Sequence, residues 1–86
     1  MRVGTKSNSG SVAGAIAGLL RSGEIAPLEV VGAGATYQAM CAVSIAGSFL
    51  KKEGIKPVVT ITKGIREING TERVAYTLYV KGEPMK

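Results

Sequence analysis

Apolar and polar positions recur along the chain with two different periods, which predict its first elements. Residues 2–7 and 27–31 alternate as short strands. Between them, four apolar residues recur at helical spacing: Val12, Ile16, Leu19 and Leu20. The Ser- and Asn-rich segment 7–11 predicts a loop that ends in a helix N-cap. Gly14 and Gly18 lower intrinsic helix stability, so we expect close packing to compensate at both positions.

The second helix is predicted from Gly34 or Thr36 to about Lys52, ending at Gly54. It carries no charged residue before its last turn, so we expect it to be covered on most sides. A chain this short cannot supply all of that cover, which predicts a homodimer or homotetramer. The residues predicted at this interface share one side of the helix: Tyr37, Met40, Cys41 and Ser44.

A β-hairpin is predicted for the C-terminal part, with arms at residues 58–68 and 72–81. Asn69-Gly70 is the preferred pair for a type I′ turn, in which both central residues have positive φ. Alternation in the first arm loses phase near Gly64, which predicts a bulge or bend there. We expect residues 82–86 to be a frayed tail.

These elements give the order β-α-β-α-β-β in a single domain, residues 1–86, of the α/β (α+β) class. Strands joined by a helical crossover are parallel, so we predict a four-stranded mixed sheet with two helices packed on one face. The single cysteine excludes an internal disulfide, and no signal-like start is present, which together predict a cytoplasmic location. No apolar run is long enough to predict a membrane span.

Charge and composition point to a binding protein rather than an enzyme. Eleven Lys and Arg outnumber six acidic residues, giving a net charge of +5 that lies mostly in the C-terminal half. Such a surplus favours a polyanionic partner such as DNA or RNA, although solubility alone also explains a few net charges. The chain lacks His and Asp, so we predict no catalytic site, no metal site and no cofactor.

Two regions could contact a phosphate backbone. Lys6, Ser7 and Asn8 offer a cation and polar groups before the first helix, although a plain N-cap loop explains the latter two. Lys63, Arg66 and Arg73 lie on the hairpin arms, where charged side chains also protect strand edges against aggregation. Residues 32–36 begin like a dinucleotide-binding fingerprint but have Tyr37 in place of the third Gly, so a close-packing turn is the favoured interpretation.

Several segments closely resemble the stage V sporulation protein S family: SVAGAIAG at 11–18, GAGA at 32–35, AVSIA at 42–46 and NGTER at 69–73. The resemblance covers nearly the whole chain. It implies an Alba-like fold, regulation of spore development, and a nucleic-acid-binding activity inferred from that fold. Our picture of the family has Asn at position 37 and basic residues at 41 and 47, where this chain has Tyr37, Cys41 and Gly47. The resemblance therefore implies weaker binding here, or binding through the loop and hairpin.

Our first hypothesis is a nucleic-acid-binding regulatory protein that contacts the phosphate backbone with little sequence specificity. Its contacts would come from Lys6, Lys63, Arg66 and Arg73. The alternative is a homo-oligomeric interaction or scaffold module without nucleic-acid binding. A weaker third hypothesis is a small-anion or nucleotide sensor that uses residues 32–36.

Overall fold

A computed structural model describes residues 1–85 of the protein. Its elements are helix α1 (Ser9–Arg21), strand β1 (Ala26–Val31), helix α2 (Ala33–Leu50), a 3₁₀ turn (Lys51–Glu53), and strands β2 (Ile55–Ile68) and β3 (Thr71–Pro84). The three strands form one antiparallel sheet in the order β1-β3-β2. The α+β class is confirmed, whereas the predicted four-stranded mixed sheet is not observed.

The N-terminal segment accounts for the missing strand. Its predicted parallel direction is correct, but only an isolated bridge forms between Arg2 and Glu29. The amide of Val3 donates to the Glu29 carbonyl (3.0 Å), and the chain then turns away. Within that turn the Ser7 amide donates to the Gly4 carbonyl (3.1 Å) and the Gly4 amide to the Ser7 hydroxyl (2.8 Å). This local turn satisfies groups that would otherwise continue the ladder.

Helix α1 begins at Ser9, inside the segment 7–11 that was predicted as a loop, and Asn8 is its N-cap. The Asn8 side-chain oxygen accepts a hydrogen bond from the amide of Ser11 at 3.0 Å. The prediction that close packing compensates for Gly14 and Gly18 is wrong. Both are exposed, and a Cβ added at either position would meet no atom within 4 Å.

Within one chain, helix α2 is covered on one side only, and the further cover expected from a second copy stays a prediction. Its buried residues form a single stripe: Ala35, Ala39, Ala42, Ala46 and Leu50. This stripe shares the core with one face of α1, with Leu28 and Val30 of β1, and with Leu78 and Val80 of β3. Tyr37, Met40 and Ser44, on the other side of α2, are exposed.

The hairpin follows the prediction at its turn and departs from it along its arms. Asn69 and Gly70 have φ angles of 52° and 77°, so the type I′ turn is confirmed. The predicted bulge near Gly64 is absent, because β2 and β3 pair without interruption from Ile68 opposite Thr71 to Ile55 opposite Pro84. The predicted frayed tail is correspondingly wrong up to Pro84, and Lys86 lies outside the described residues.

Candidate nucleic-acid interface

The N-terminal loop exposes one cation and uses its two polar side chains internally. Lys6 is exposed in the turn between Gly4 and Ser7. The Ser7 hydroxyl accepts from the Gly4 amide, and the Asn8 side chain caps α1. Lys6 is therefore the member of this trio whose side chain is free to meet a phosphate.

Arg66 is held by a carboxylate on the neighbouring part of the sheet. Its Nη2 lies 2.6 and 2.7 Å from the two carboxylate oxygens of Glu29, and Arg2 Nε lies 3.5 Å from the nearer one. The side chains of Arg66 and Glu29 are about one-third exposed. Because Glu29 offsets its charge, Arg66 is less available to an outside anion than its sequence position suggests.

This Arg2–Glu29–Arg66 cluster borders a cavity of about 520 Å³ that brings the hairpin and the N-terminal segment together. Apolar side chains of Val3, Val31 and Ile68 also line it. No signal in the sequence indicates this contact, because Glu29 and Arg66 lie on different strands and no motif or spacing links them.

Arg73 lies directly opposite Arg66 in the hairpin register, whereas Lys63 lies three residues before Arg66 on β2. Lys63 is opposite Tyr76, on the same sheet face as the core. A Cβ built on Gly32 would lie 3.5 Å from Nη2 of Arg73, which places this guanidinium beside the start of α2. Within residues 1–85, neither Lys63 nor Arg73 has a carboxylate within 4.0 Å, and the same is true of Lys6. Lys6, Lys63 and Arg73 are thus exposed, and of these three Arg73 is the one paired directly across the strands with Arg66.

The Gly-rich segment before α2 acts as a close-packing turn. Gly32 has φ 86° and caps the helix without a side chain, and its carbonyl accepts from the Thr36 hydroxyl at 2.8 Å. A Cβ on Gly34 would come within 3.0 Å of the Thr5 side chain. Glycine here permits the N-terminal segment to lie against α2, which agrees with the favoured interpretation of residues 32–36.

The four residues predicted at an oligomer interface lie on the open side of α2. Tyr37 and Met40 are 65% and 61% exposed, Ser44 is exposed, and Cys41 is a half-buried free thiol. A hydrogen bond with Cys41 raises the pKa of the Tyr37 phenol above its ordinary value of 10.0. The phenol is therefore uncharged at neutral pH, and this side of α2 carries no charge.

Within the described part of the chain, no three acidic, Cys or His side chains come together as a metal site would require. None of the helices in residues 1–85 has both the length and the apolar character needed to cross a bilayer. Comparison with protein families gives a match to the family described as Stage V sporulation protein S (SpoVS), over residues 1–83.

Proposed function

Because the chain belongs to the Stage V sporulation protein S family, which indicates a sporulation-related protein, we propose that it is a nucleic-acid-binding regulator. It would contact DNA or RNA through the phosphate backbone and influence developmental gene expression in the cytoplasm. No catalytic role is proposed, and the family is not known as one of enzymes.

The observation that supports this function is that Lys6, Lys63 and Arg73 are exposed and have no carboxylate partner within residues 1–85, in a chain of net charge +5. Cations of this kind neutralise phosphates and release counterions, which gives affinity with little sequence preference. Arg66 would contribute less than these three, because a phosphate must first compete with Glu29. The side chains of Ser7 and Asn8 are already hydrogen-bonded within the chain, so these two residues would lie beside the nucleic acid without using their side chains to bind it.

The test is fluorescence anisotropy with mixed-sequence duplex DNA, single-stranded DNA and RNA, titrated with salt. A triple variant, Lys6→Ala/Lys63→Ala/Arg73→Ala, should bind at least about tenfold more weakly at 0.1 M salt, with a salt slope about 3 units shallower on duplex DNA. The matched control is the variant Lys51→Ala/Lys52→Ala/Lys56→Ala, which lacks three cations that follow α2. Its affinity for nucleic acid should fall less than that of the first triple variant. Equal losses in both variants, or no binding by the native chain at low salt, would contradict the proposal.

The competition by Glu29 gives a second test of the same proposal. Glu29→Gln removes the carboxylate charge that holds Arg66 and Arg2, so we expect binding to tighten several-fold. Circular dichroism checks that the variant remains folded. Unchanged or weaker binding by a folded Glu29→Gln protein would remove Arg66 from the contact set.

The second candidate is a homo-oligomeric interaction or scaffold module. The uncharged, exposed side of α2 favours it, because Tyr37 and Met40 are large side chains left in solvent. Homodimer or homotetramer formation through Tyr37, Met40, Cys41 and Ser44 is compatible with nucleic-acid binding and is proposed alongside it. A module of this second kind alone would form oligomers and show no salt-dependent nucleic-acid binding.

A further inference from the structure

The three-stranded sheet has one face packed against the helices and one face without a helix. Leu28 of β1 and Leu78 of β3 lie opposite each other on the first face and belong to the core shared with α1 and α2. Because side chains alternate along a strand, the residues between such core positions point to the second face. This second face, here called the helix-free face, carries Pro27 of β1, Thr60 and Thr62 of β2, and Thr77, Tyr79 and Lys81 of β3.

Tyr79 places an aromatic ring on the helix-free face. It is 41% exposed, and its partners across the strands, Pro27 and Thr60, are exposed as well. Lys81 follows two residues later on β3, about 7 Å away at the usual rise per residue. Its side chain is exposed and has no carboxylate within 4.0 Å among residues 1–85. An open ring beside an unpaired ammonium group can bind an unstacked base and a phosphate of the same strand.

The charges of the hairpin are divided unequally between its two faces. On the core face the register places one cation, Lys63, with two carboxylates, Glu67 and Glu72. The helix-free face has four cations and one carboxylate, which are Lys56, Arg66, Arg73, Lys81 and Glu83. The side of the hairpin that attracts a polyanion is therefore the side that carries the exposed ring.

Carboxylates offset two of these cations. Arg66 is held by Glu29 of β1. Lys56 lies directly opposite Glu83 in the register. The guanidinium of the third cation on this face, Arg73, lies beside the start of α2. The free positive charge next to the aromatic ring therefore comes from Lys81.

We propose that the helix-free face binds a single strand of DNA or RNA, with a base stacked on Tyr79 and a phosphate held by Lys81. The ring faces of bases in a duplex are covered by the neighbouring base pairs, so a duplex offers this surface its phosphates only. The exposed hydroxyls of Thr60 and Thr62 can donate and accept further hydrogen bonds. This inference rests on the nucleic-acid binding proposed above and narrows its ligand to an unpaired strand. Lys63, on the core face, would add attraction without distinguishing single strands from duplexes.

The test compares two tyrosines of β3 by fluorescence anisotropy with oligothymidylate, oligouridylate and mixed-sequence duplex DNA at one salt concentration. The native protein should bind at least one of the two single strands more tightly than the duplex. Tyr79→Ala should weaken single-strand binding about 5- to 150-fold, the range that stacking of one base supplies, and should change duplex binding much less. Tyr79→Phe keeps the ring and should keep the native affinity.

Tyr76→Ala is the matched control. Tyr76 lies on the same strand with a similar exposure, 38%, but its register partner is Lys63, so it lies on the core face. It should leave the ratio of single-strand to duplex affinity unchanged. Lys81→Ala should make the salt slope of single-strand binding about 0.7 shallower, because one phosphate contact is lost. Circular dichroism confirms that each variant is folded.

The outcomes separate this inference from the function on which it rests. A native protein that binds duplex DNA at least as tightly as both single strands would overturn the single-strand inference and leave backbone binding standing. The same holds if folded Tyr79→Ala and Tyr76→Ala lower single-strand affinity equally, since Tyr79 would then matter only to the sheet. Native protein that binds none of the three probes would overturn both proposals.

Discussion

Replacing Gly14 and Gly18 by Ala should stabilise the protein, because helix α1 gains nothing from their lack of a side chain. Both residues are exposed, and a Cβ at either site meets no atom within 4 Å. Neither has a positive φ. A Gly inside a helix costs about 0.5–1 kcal/mol relative to Ala, chiefly through the entropy of the unfolded chain.

The double variant Gly14→Ala/Gly18→Ala should therefore raise the free energy of unfolding by about 1–2 kcal/mol. That is a large share for a chain whose total stability is about 4–13 kcal/mol at typical values per residue. Urea denaturation followed by circular dichroism measures it, at one fixed protein concentration because oligomers gain stability with concentration. The melting temperature should rise by roughly 4–8 °C for each kcal/mol.

A third glycine serves as the control of opposite sign. At Gly82 a Cβ would lie 3.0 Å from Cγ2 of Ile55 and 3.4 Å from Cβ of Leu20. Gly82→Ala should therefore lower the free energy of unfolding by about 1–3 kcal/mol through overpacking. If Gly14→Ala or Gly18→Ala destabilised the protein by a similar amount, the glycine side of α1 would have to be packed against another molecule, and the reasoning from open space would be refuted.

Three further outcomes follow from local contacts. Asn8→Ala should lower the free energy of unfolding by about 1 kcal/mol in urea denaturation, because it removes the side-chain oxygen that accepts from the Ser11 amide. Asn8→Asp keeps an acceptor oxygen and should retain most of the native stability. Equal losses of stability in the two variants would show that the cap does not stabilise the helix. Gly70→Ala should lower the free energy of unfolding by about 1–2 kcal/mol, because Gly70 has a φ of 77°, and Gly70→Asn should lower it clearly less. Equal losses of stability in the two variants would mean that the turn can change type. Cys41→Ala should lower the pKa of Tyr37 toward 10.0, measured by tyrosinate absorbance, because it removes the hydrogen bond to the phenol. Since the pKa of Tyr37 is raised in the folded chain, its contribution to stability is present below pH 10.0 and is lost as pH rises through the folded value; an unchanged titration would exclude the Cys41 contact.

Local signals in the sequence predicted the structure correctly where the backbone conformation admits few residue types. Asn69-Gly70 specified the hairpin turn because few other pairs tolerate two positive φ angles. Segment 7–11 indicated that a helix N-cap lies there, because Asn and Ser side chains accept hydrogen bonds from helix amides, but it did not specify which residue is the cap. The first strand was predicted too long, since alternation over residues 2–7 does not show that Ser7 and Gly4 bond to each other instead of to a neighbouring strand.

The side of α2 that faces the core of the chain could not be predicted from its lack of charge. Ala, Ser and Gly are tolerated in solvent as well as in the core, so composition alone could not distinguish the buried Ala stripe from the open side. Hydrophobic periodicity is weak when the buried positions are alanines. Only the packing of Ala39, Ala42 and Ala46 against the rest of the core decides which side faces inward.

The cations of the candidate site could be predicted from the sequence, but their arrangement on the surface could not. Nothing local indicates that Arg66 is paired with Glu29, because that contact depends on how the hairpin lies across the sheet. The exposure of apolar hairpin side chains such as Ile61, Ile65 and Val74 was not predicted, because alternation along an arm does not show how much of its apolar face the helices cover.

The uninterrupted pairing of β2 with β3 has a consequence for the order in which the protein folds. This hairpin closes across two residues, whereas β1 reaches its place beside β3 only after the chain has passed through α2 and the hairpin. Local pairing costs less loop-closure entropy than distant pairing, so β3 should first be ordered by β2 and then serve as the template for β1. Mutations at the turn should therefore slow folding, whereas mutations in β1 should mainly accelerate unfolding, and stopped-flow measurements of Gly70→Ala and Val30→Ala would distinguish this order from its reverse.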